Sequence, residues 1–180
     1  MPPSVDADAP IFLVGFMASG KTTIGKLVAA RLGWDFDDLD DLVTRAAGRP
    51  VADIFATEGE AGFRRREADA LREAADRRRA VIATGGGAVC REDNLVAMLA
   101  AGHVVTLAVS AEEAIRRAGV SSGRPLLDGK ADPVGAARAL LDTRRGFYER
   151  AHVHIDTDGR TPADIADAVL QGIRTRQEET

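Results

Sequence analysis

Apolar and polar positions along the chain switch repeatedly between two periods. Ile11-Phe12-Leu13-Val14 is a continuous apolar run, which predicts a strand buried on both faces of a sheet. Ile24, Leu27, Val28 and Leu32 recur at helical spacing, and Gly33 follows as a stop. Trp34 to Asp37 alternates briefly and predicts a second strand. Leu39, Leu42 and Val43 begin another helical stripe that ends at Gly48. The stretch 60–79 predicts a long charged helix, with Arg77, Arg78 and Arg79 as its solvated end. Strands are predicted at 81–83, 103–109 and 153–155, and helices at 111–118, 133–150 and 162–174. Strands separated by helices imply an α/β fold, a parallel sheet with helices on both faces. No repeat and no linker divides the chain, so 1–180 reads as a single domain. Residues 1–9 and 175–180 read as flexible ends, and 119–131 as a loop.

Composition narrows the functional classes. A net charge of −4 and a pI near 5.4 speak against a nucleic-acid partner, which usually requires a basic face. No apolar run approaches the roughly 18 residues of a membrane span. The start, MPPSVDADAP, has neither the basic residues nor the apolar stretch of a signal peptide. Cys90 is the only cysteine, which excludes an internal disulfide. A cytoplasmic protein is the expectation, with no membrane or nucleic-acid partner.

The chain carries one specific chemical motif. Gly15-Phe16-Met17-Ala18-Ser19-Gly20-Lys21-Thr22 matches G-x-x-x-x-G-K-[ST], and Thr23 follows it. Glycines allow the loop to wrap closely and aim N–H groups at phosphate oxygens, and the next helix adds its positive end. Lys21 is expected at the β/γ-phosphates and the Thr22 hydroxyl on Mg²⁺. Only three of the 24 basic residues are lysine. At these frequencies a chance match arises about once in 400 such chains. The motif implies a nucleoside triphosphate with Mg²⁺ and leaves the reaction open.

Other residues are less specific. Five of the seven residues 35–41 are aspartate: Asp35, Asp37, Asp38, Asp40 and Asp41. At a strand's carboxyl end, one could order a metal through water or accept a proton from a hydroxyl, and spacing does not choose among them. Arg64 shares an apolar stripe with Ala68, Leu71 and Ala75, and Arg144 shares one with Ala137, Leu140, Leu141 and Tyr148. An inward guanidinium needs an anion, and both an internal carboxylate such as Glu67 and a bound ligand satisfy that need. Gly85-Gly86-Gly87 after the third strand permits close approach of backbone to a ligand. Arg124, among the glycines of 119–131, suits a kinase lid or a plain surface loop, and composition does not choose between them.

Taken in order, GFMASGKTT, the Asp38-x-Asp40 pair, GRPVADIFATEGEAGFRRRE, TGGGAV, GRPLL and Arg144-x-x-x-Tyr148 resemble the motifs of shikimate kinases. The block Gly48–Glu67 is the most discriminating, and it separates this family from sibling kinases such as those for gluconate. The resemblance implies a three-layer P-loop kinase fold with five parallel strands in the order 2-3-1-4-5. It implies Mg²⁺-dependent transfer of the ATP γ-phosphate to the 3-hydroxyl of shikimate, on the route to chorismate and aromatic amino acids. Lys21, Asp40 and Arg124 would be catalytic, and Thr22 and Asp38 would hold the metal. Gly15, Ala18, Ser19, Gly20, Lys21, Thr22 and Thr23 would surround the phosphates. Arg117, Arg160 and Pro162 would border adenine, with the lid residue Arg124 nearby. Asp40, Phe55, Phe63, Arg64, Gly85, Gly86, Gly87 and Arg144 would contact shikimate. The partners would be two small molecules, ATP and shikimate, and a monomer is expected. One departure stands out: Gly146 occupies a position where the family often has proline.

Overall fold

The computed structural model describes residues 6–119 and 130–179. Its elements follow in chain order as β1 Ile11–Val14, α1 Lys21–Leu32, β2 Asp35–Asp38, α2 Leu39–Ala47, α3 Val51–Ala75 and β3 Ala80–Ala83. A short 3₁₀ turn, Ala88–Cys90, leads to α4 Glu92–Ala101, β4 His103–Ala108, α5 Ala111–Ala118, α6 Pro133–Tyr148, β5 Val153–Asp156 and α7 Pro162–Glu178. The five strands form one parallel sheet in the order β2-β3-β1-β4-β5, as expected. The central strand β1 registers Phe12 against Ile82 on one side and Val104 on the other.

Successive side chains of a strand point to opposite faces, so β1 feeds two cores. Phe12 and Val14 join Leu39, Ile54, Leu71 and Ala137 on the face covered by α2, α3, α4 and α6. Ile11 and Leu13 join Ile24, Val28, Ile165 and Val169 on the face covered by α1 and α7. This double burial explains why β1 reads as an unbroken apolar run. Gly33 and Gly48 end α1 and α2 in the left-handed conformation, the stop that the pattern predicted.

Three stretches differ from the expectation. The long charged helix begins at Val51, nine residues earlier than predicted, and is broken internally at Gly59, where φ is 70° and ψ −176°. That glycine interrupts the apolar periodicity and hides the first two turns. The helix also stops at Ala75, because Arg77 turns back to pair with Asp37 and Asp35, while Arg78 pairs with Asp6 at 2.6 Å. Arg77 and Arg78 therefore tie the loop to β2 and to the lead-in; Arg78 and Arg79 are solvated as expected, but they lie beyond the helix end. Second, the unpredicted helix α4 buries Leu95 and Met98, and it follows the glycine turn so closely that its start carries no separate signal. Third, α7 continues through the polar tail to Glu178, and Arg176 meets His103 Nδ1 at 3.0 Å. At the other end of the chain, the Arg79 N–H donates to the Asp8 carbonyl at 2.8 Å and Ala9 is buried.

Candidate active site

The carboxyl ends of β1, β2 and β3 meet at one cleft. After β1 the chain wraps through Gly15, Ala18 and Gly20, all with positive φ, before α1 starts. Ala18, at φ 58°, is a non-glycine residue in the left-handed region, a local strain of order 1 kcal/mol concentrated at the loop apex. Lys21 Nζ donates to the Gly15 and Phe16 carbonyls, each at 2.8 Å, so the cation arches over the loop that it serves. The Thr22 hydroxyl donates to Asp38 Oδ2 at 3.1 Å. Asp38 ends β2 and caps α2, its other oxygen accepting from the Asp40 N–H at 3.0 Å. Two residues of the predicted metal pair are thus adjacent across 16 positions of sequence.

Asp40 opens onto the cleft, yet the protein packed around its carboxyl raises its proton affinity. Asp38 and Asp41 push in the same direction, and Arg64 and Lys21 oppose them. Of the five aspartates, Asp38 and Asp40 face the loop. Asp37 instead is buried between Arg45, at 2.8 Å, and Arg77.

The glycine turn after β3 faces both apolar-stripe arginines. A Cβ placed on Gly87 would lie 2.8 Å from Arg64 Nη2, and one on Gly86 would lie 3.2 Å from Arg144 Nη1. The same Gly86 position is 3.4 Å from the Gly15 carbonyl, so the turn abuts the phosphate loop. A side chain at either position would push the facing guanidinium away. Arg64 comes from α3 and Arg144 from α6, and both lie partly buried. Arg145 instead pairs with Asp142 at 2.6 Å and is 67% exposed, so Arg144 is the inward one of the pair. Gly146 lies within α6 with open space beside it. Phe55 and Phe63 stack with centroids 4.7 Å apart, and Arg64 sits 5.3 Å from the Phe63 ring. Arg64 Nη1 pairs with Glu67 at 2.7 Å, the internal-carboxylate alternative, while Nη2 lies against the glycine turn.

A second cavity, of about 350 Å³, adjoins the phosphate loop. Ala18, Ser19, Gly20 and Thr23 line it together with Arg117, Arg160 and Pro162. Arg117 donates to Glu113 Oε1 at 2.7 Å, to the Thr157 carbonyl at 2.7 Å and to the Ala18 carbonyl at 3.3 Å. Those bonds occupy the edge of the guanidinium. A larger cavity of about 640 Å³ lies between the end of β4 and α6, and none of the predicted site residues lines it. Arg124 lies outside the described residues.

The sequence reading left one contributor undecided, Glu67, and missed two, Glu113 and Thr157. Glu67 is completely buried, and burial raises its proton affinity against the pull of Arg64; its Oε2 has no hydrogen-bond partner. Its position one helical turn after Arg64 was the available signal. Glu113 lies one turn before Arg117 on α5, a spacing that signals an ion pair, whereas Thr157 reaches Arg117 from 40 residues away and no local pattern announces it.

A glycine-lined phosphate loop at the end of the central strand, facing an arginine-lined pocket across a β2-β3-β1-β4-β5 sheet, defines a P-loop kinase for a small acidic molecule. Comparison with known proteins agrees: the model of the family described as "SKI: Shikimate kinase" matches residues 17–174. A shikimate kinase of Symbiobacterium thermophilum is 49% identical over 93% of this chain and 98% of its own length. One of Moorella thermoacetica is 46% identical over 91% of this chain and 94% of its own. The solved shikimate kinase from Acinetobacter baumannii in complex with shikimate superposes with a TM-score of 0.87 at 37% identity, covering 94% of this chain and 95% of that one. This chain belongs to the shikimate kinase family.

Proposed function

We propose that the chain catalyses transfer of the γ-phosphoryl group of ATP to the 3-hydroxyl of shikimate, giving shikimate 3-phosphate and ADP on the route to chorismate and aromatic amino acids. The observation that carries this reading is the convergence of Arg64 and Arg144 on the Gly85–Gly87 turn, directly beside the phosphate loop. Two guanidiniums on one side of a small pocket suit a carboxylate, which arginine binds with parallel hydrogen bonds. A stacked Phe55–Phe63 wall suits the carbon ring that bears it.

Each residue has a role in an in-line displacement. Backbone N–H groups of the loop and the N-terminus of α1 hold the phosphates, and Lys21 offsets charge on the transferred group. Arg117, Arg160 and Pro162 border the base. Asp40 accepts a hydrogen bond from the attacking hydroxyl, and its raised proton affinity suits it to take that proton as the new P–O bond forms. Arg124 would bring charge from the lid. Thr22 and Asp38 supply adjacent oxygen donors in an acidic cluster, which fits a hard divalent cation. When bound, Mg²⁺ would neutralise phosphate charge.

No helix among the described residues is long and apolar enough to cross a membrane. On this reading the chain is a monomer acting on small molecules in the cytoplasm; the acidic net charge supports the lack of a nucleic-acid partner, and the single cysteine supports a reducing compartment. A coupled ADP-release assay with and without shikimate tests the function. ADP release that depends on shikimate is expected. Release unaffected by shikimate, or turnover of gluconate alone, overturns it.

A further inference from the structure

The last residue of α6 has a side chain that the reaction described above does not use. Tyr148 is buried, and its hydroxyl donates to the Gly86 carbonyl at 2.8 Å. Gly86 is the middle residue of the substrate-side turn, wedged between Arg144 and the Gly15 carbonyl. Tyr148 stands four positions after Arg144, so the two share one face of α6. The Arg144 guanidinium lies close enough to the phenol to favour its ionised form, but burial dominates and holds the phenol up to about 12. The hydroxyl therefore remains a proton donor across the neutral range.

We infer that Tyr148 is a positioning residue for the acidic substrate: its hydroxyl fixes the Gly86–Gly87 peptide and thereby the turn against which Arg144 and Arg64 are held. The argument rests on peptide geometry. All described peptide bonds are trans, and in a trans peptide the C=O and N–H point in opposite directions. Pinning the Gly86 carbonyl on Tyr148 turns the Gly87 N–H away from α6. Among the described residues neither the Gly86 nor the Gly87 N–H has a backbone acceptor, which leaves both available to a ligand. Glycines on both sides of this peptide supply little stiffness of their own. The Tyr148 hydroxyl is then the strong external bond that selects one orientation, with the Cys90 thiol a weak second donor to the same carbonyl at 3.9 Å. Three other groups stabilise the same region without touching the peptide's direction. Thr106 Oγ1 donates to the Tyr148 carbonyl at 2.8 Å, His154 Nε2 meets that carbonyl at 3.2 Å, and Asn94 donates to the Ala88 carbonyl at 2.9 Å.

This inference rests on the kinase reading, and the experiment separates the two. Tyr148→Phe removes the hydroxyl and keeps the ring. Steady-state kinetics with shikimate and ATP, with Tm alongside, should show KM for shikimate raised about three- to tenfold, the loss of one neutral hydrogen bond. KM for ATP should stay within about twofold. Thr106→Val removes a bond to the same residue's backbone, and it should lower Tm while leaving KM for shikimate in place. An unchanged KM for shikimate in Tyr148→Phe overturns the inference. So does a parallel rise in both KM values, or an equal rise in Thr106→Val, since either would mean a general structural role. If the unaltered protein does not turn over shikimate, it is the kinase reading that fails.

Discussion

The cleft has two sides built on opposite plans. The phosphate side is one continuous stretch, Gly15 to Thr23, and most of its contacts come from backbone. Lys21 is held by carbonyls of its own loop, at 2.8 Å each. The acid side is assembled from three separate segments: Arg64 on α3, the Gly85–Gly87 turn after β3, and Arg144 and Tyr148 on α6. Its contacts come mostly from side chains, and Arg64 is oriented by Glu67 one turn along the same helix. A local loop can bring backbone N–H groups to phosphate whatever else the protein binds. A distributed pocket can change its acid specificity by exchanging a few side chains while the loop stays as it is.

That division predicts mutations that act on one side only. The largest effect belongs to Lys21→Met. Removing one preorganised donor to the transferred group should lower kcat about 10²- to 10³-fold with little change in KM for shikimate. A rise in that KM of similar size would merge the two sides. Next, Arg64→Ala should raise KM for shikimate about tenfold or more, the loss of a charged hydrogen-bond pair, and leave KM for ATP alone. It also strands buried Glu67 without its cation, so Tm should fall as well. An unaltered KM for shikimate would remove Arg64 from the acid side. Arg117→Ala is the smaller, mirror-image test: KM for ATP should rise several-fold while the acid side is untouched, as titration of each substrate would report. Equal changes in both would show that the Ala18 apex transmits to the whole cleft.

The smallest effect lies at the far end of the sheet and should spare both sides. His103 is buried at the start of β4, and burial, then Arg176 and His152, lowers its pKa to about 4. His152, depressed by burial and by Arg176, also titrates at about 4. Both are neutral in the folded protein and would protonate near 6.5 when unfolded. Folding stability is therefore complete above pH 6.5 and declines as pH falls toward 4. Urea midpoints measured across that window should drop, and His103→Asn should flatten the drop. A midpoint independent of pH between 6.5 and 4 would contradict the burial argument.

Legibility followed the same split. The phosphate loop stood out in eight consecutive residues, because every requirement of that site is local. The apolar run of β1 and the glycine stops of α1 and α2 were equally plain. The kink at Gly59 was not, since one glycine erased the periodicity on which the helix prediction depended. The pairing of Arg77 and Arg78 was missed for a different reason: their anions Asp35, Asp37 and Asp6 are 40 or more residues away along the chain. From the stripes alone Arg64 was undecided between Glu67 and a ligand; in the folded protein two edges of one guanidinium meet Glu67 and the glycine turn.

By itself, then, the sequence determined the strand–helix alternation, the nucleotide loop and, through its ordered motifs, the family, because these depend on short-range spacing and backbone geometry. Tertiary structure alone decided that Asp38 meets Thr22 while Asp37 turns to Arg77, that Thr157 holds Arg117, and that Tyr148 holds the Gly86 carbonyl. Those outcomes depend on which side chains meet across the sheet's carboxyl edge, and burial there makes an unpaired charge or carbonyl costly enough to select one arrangement.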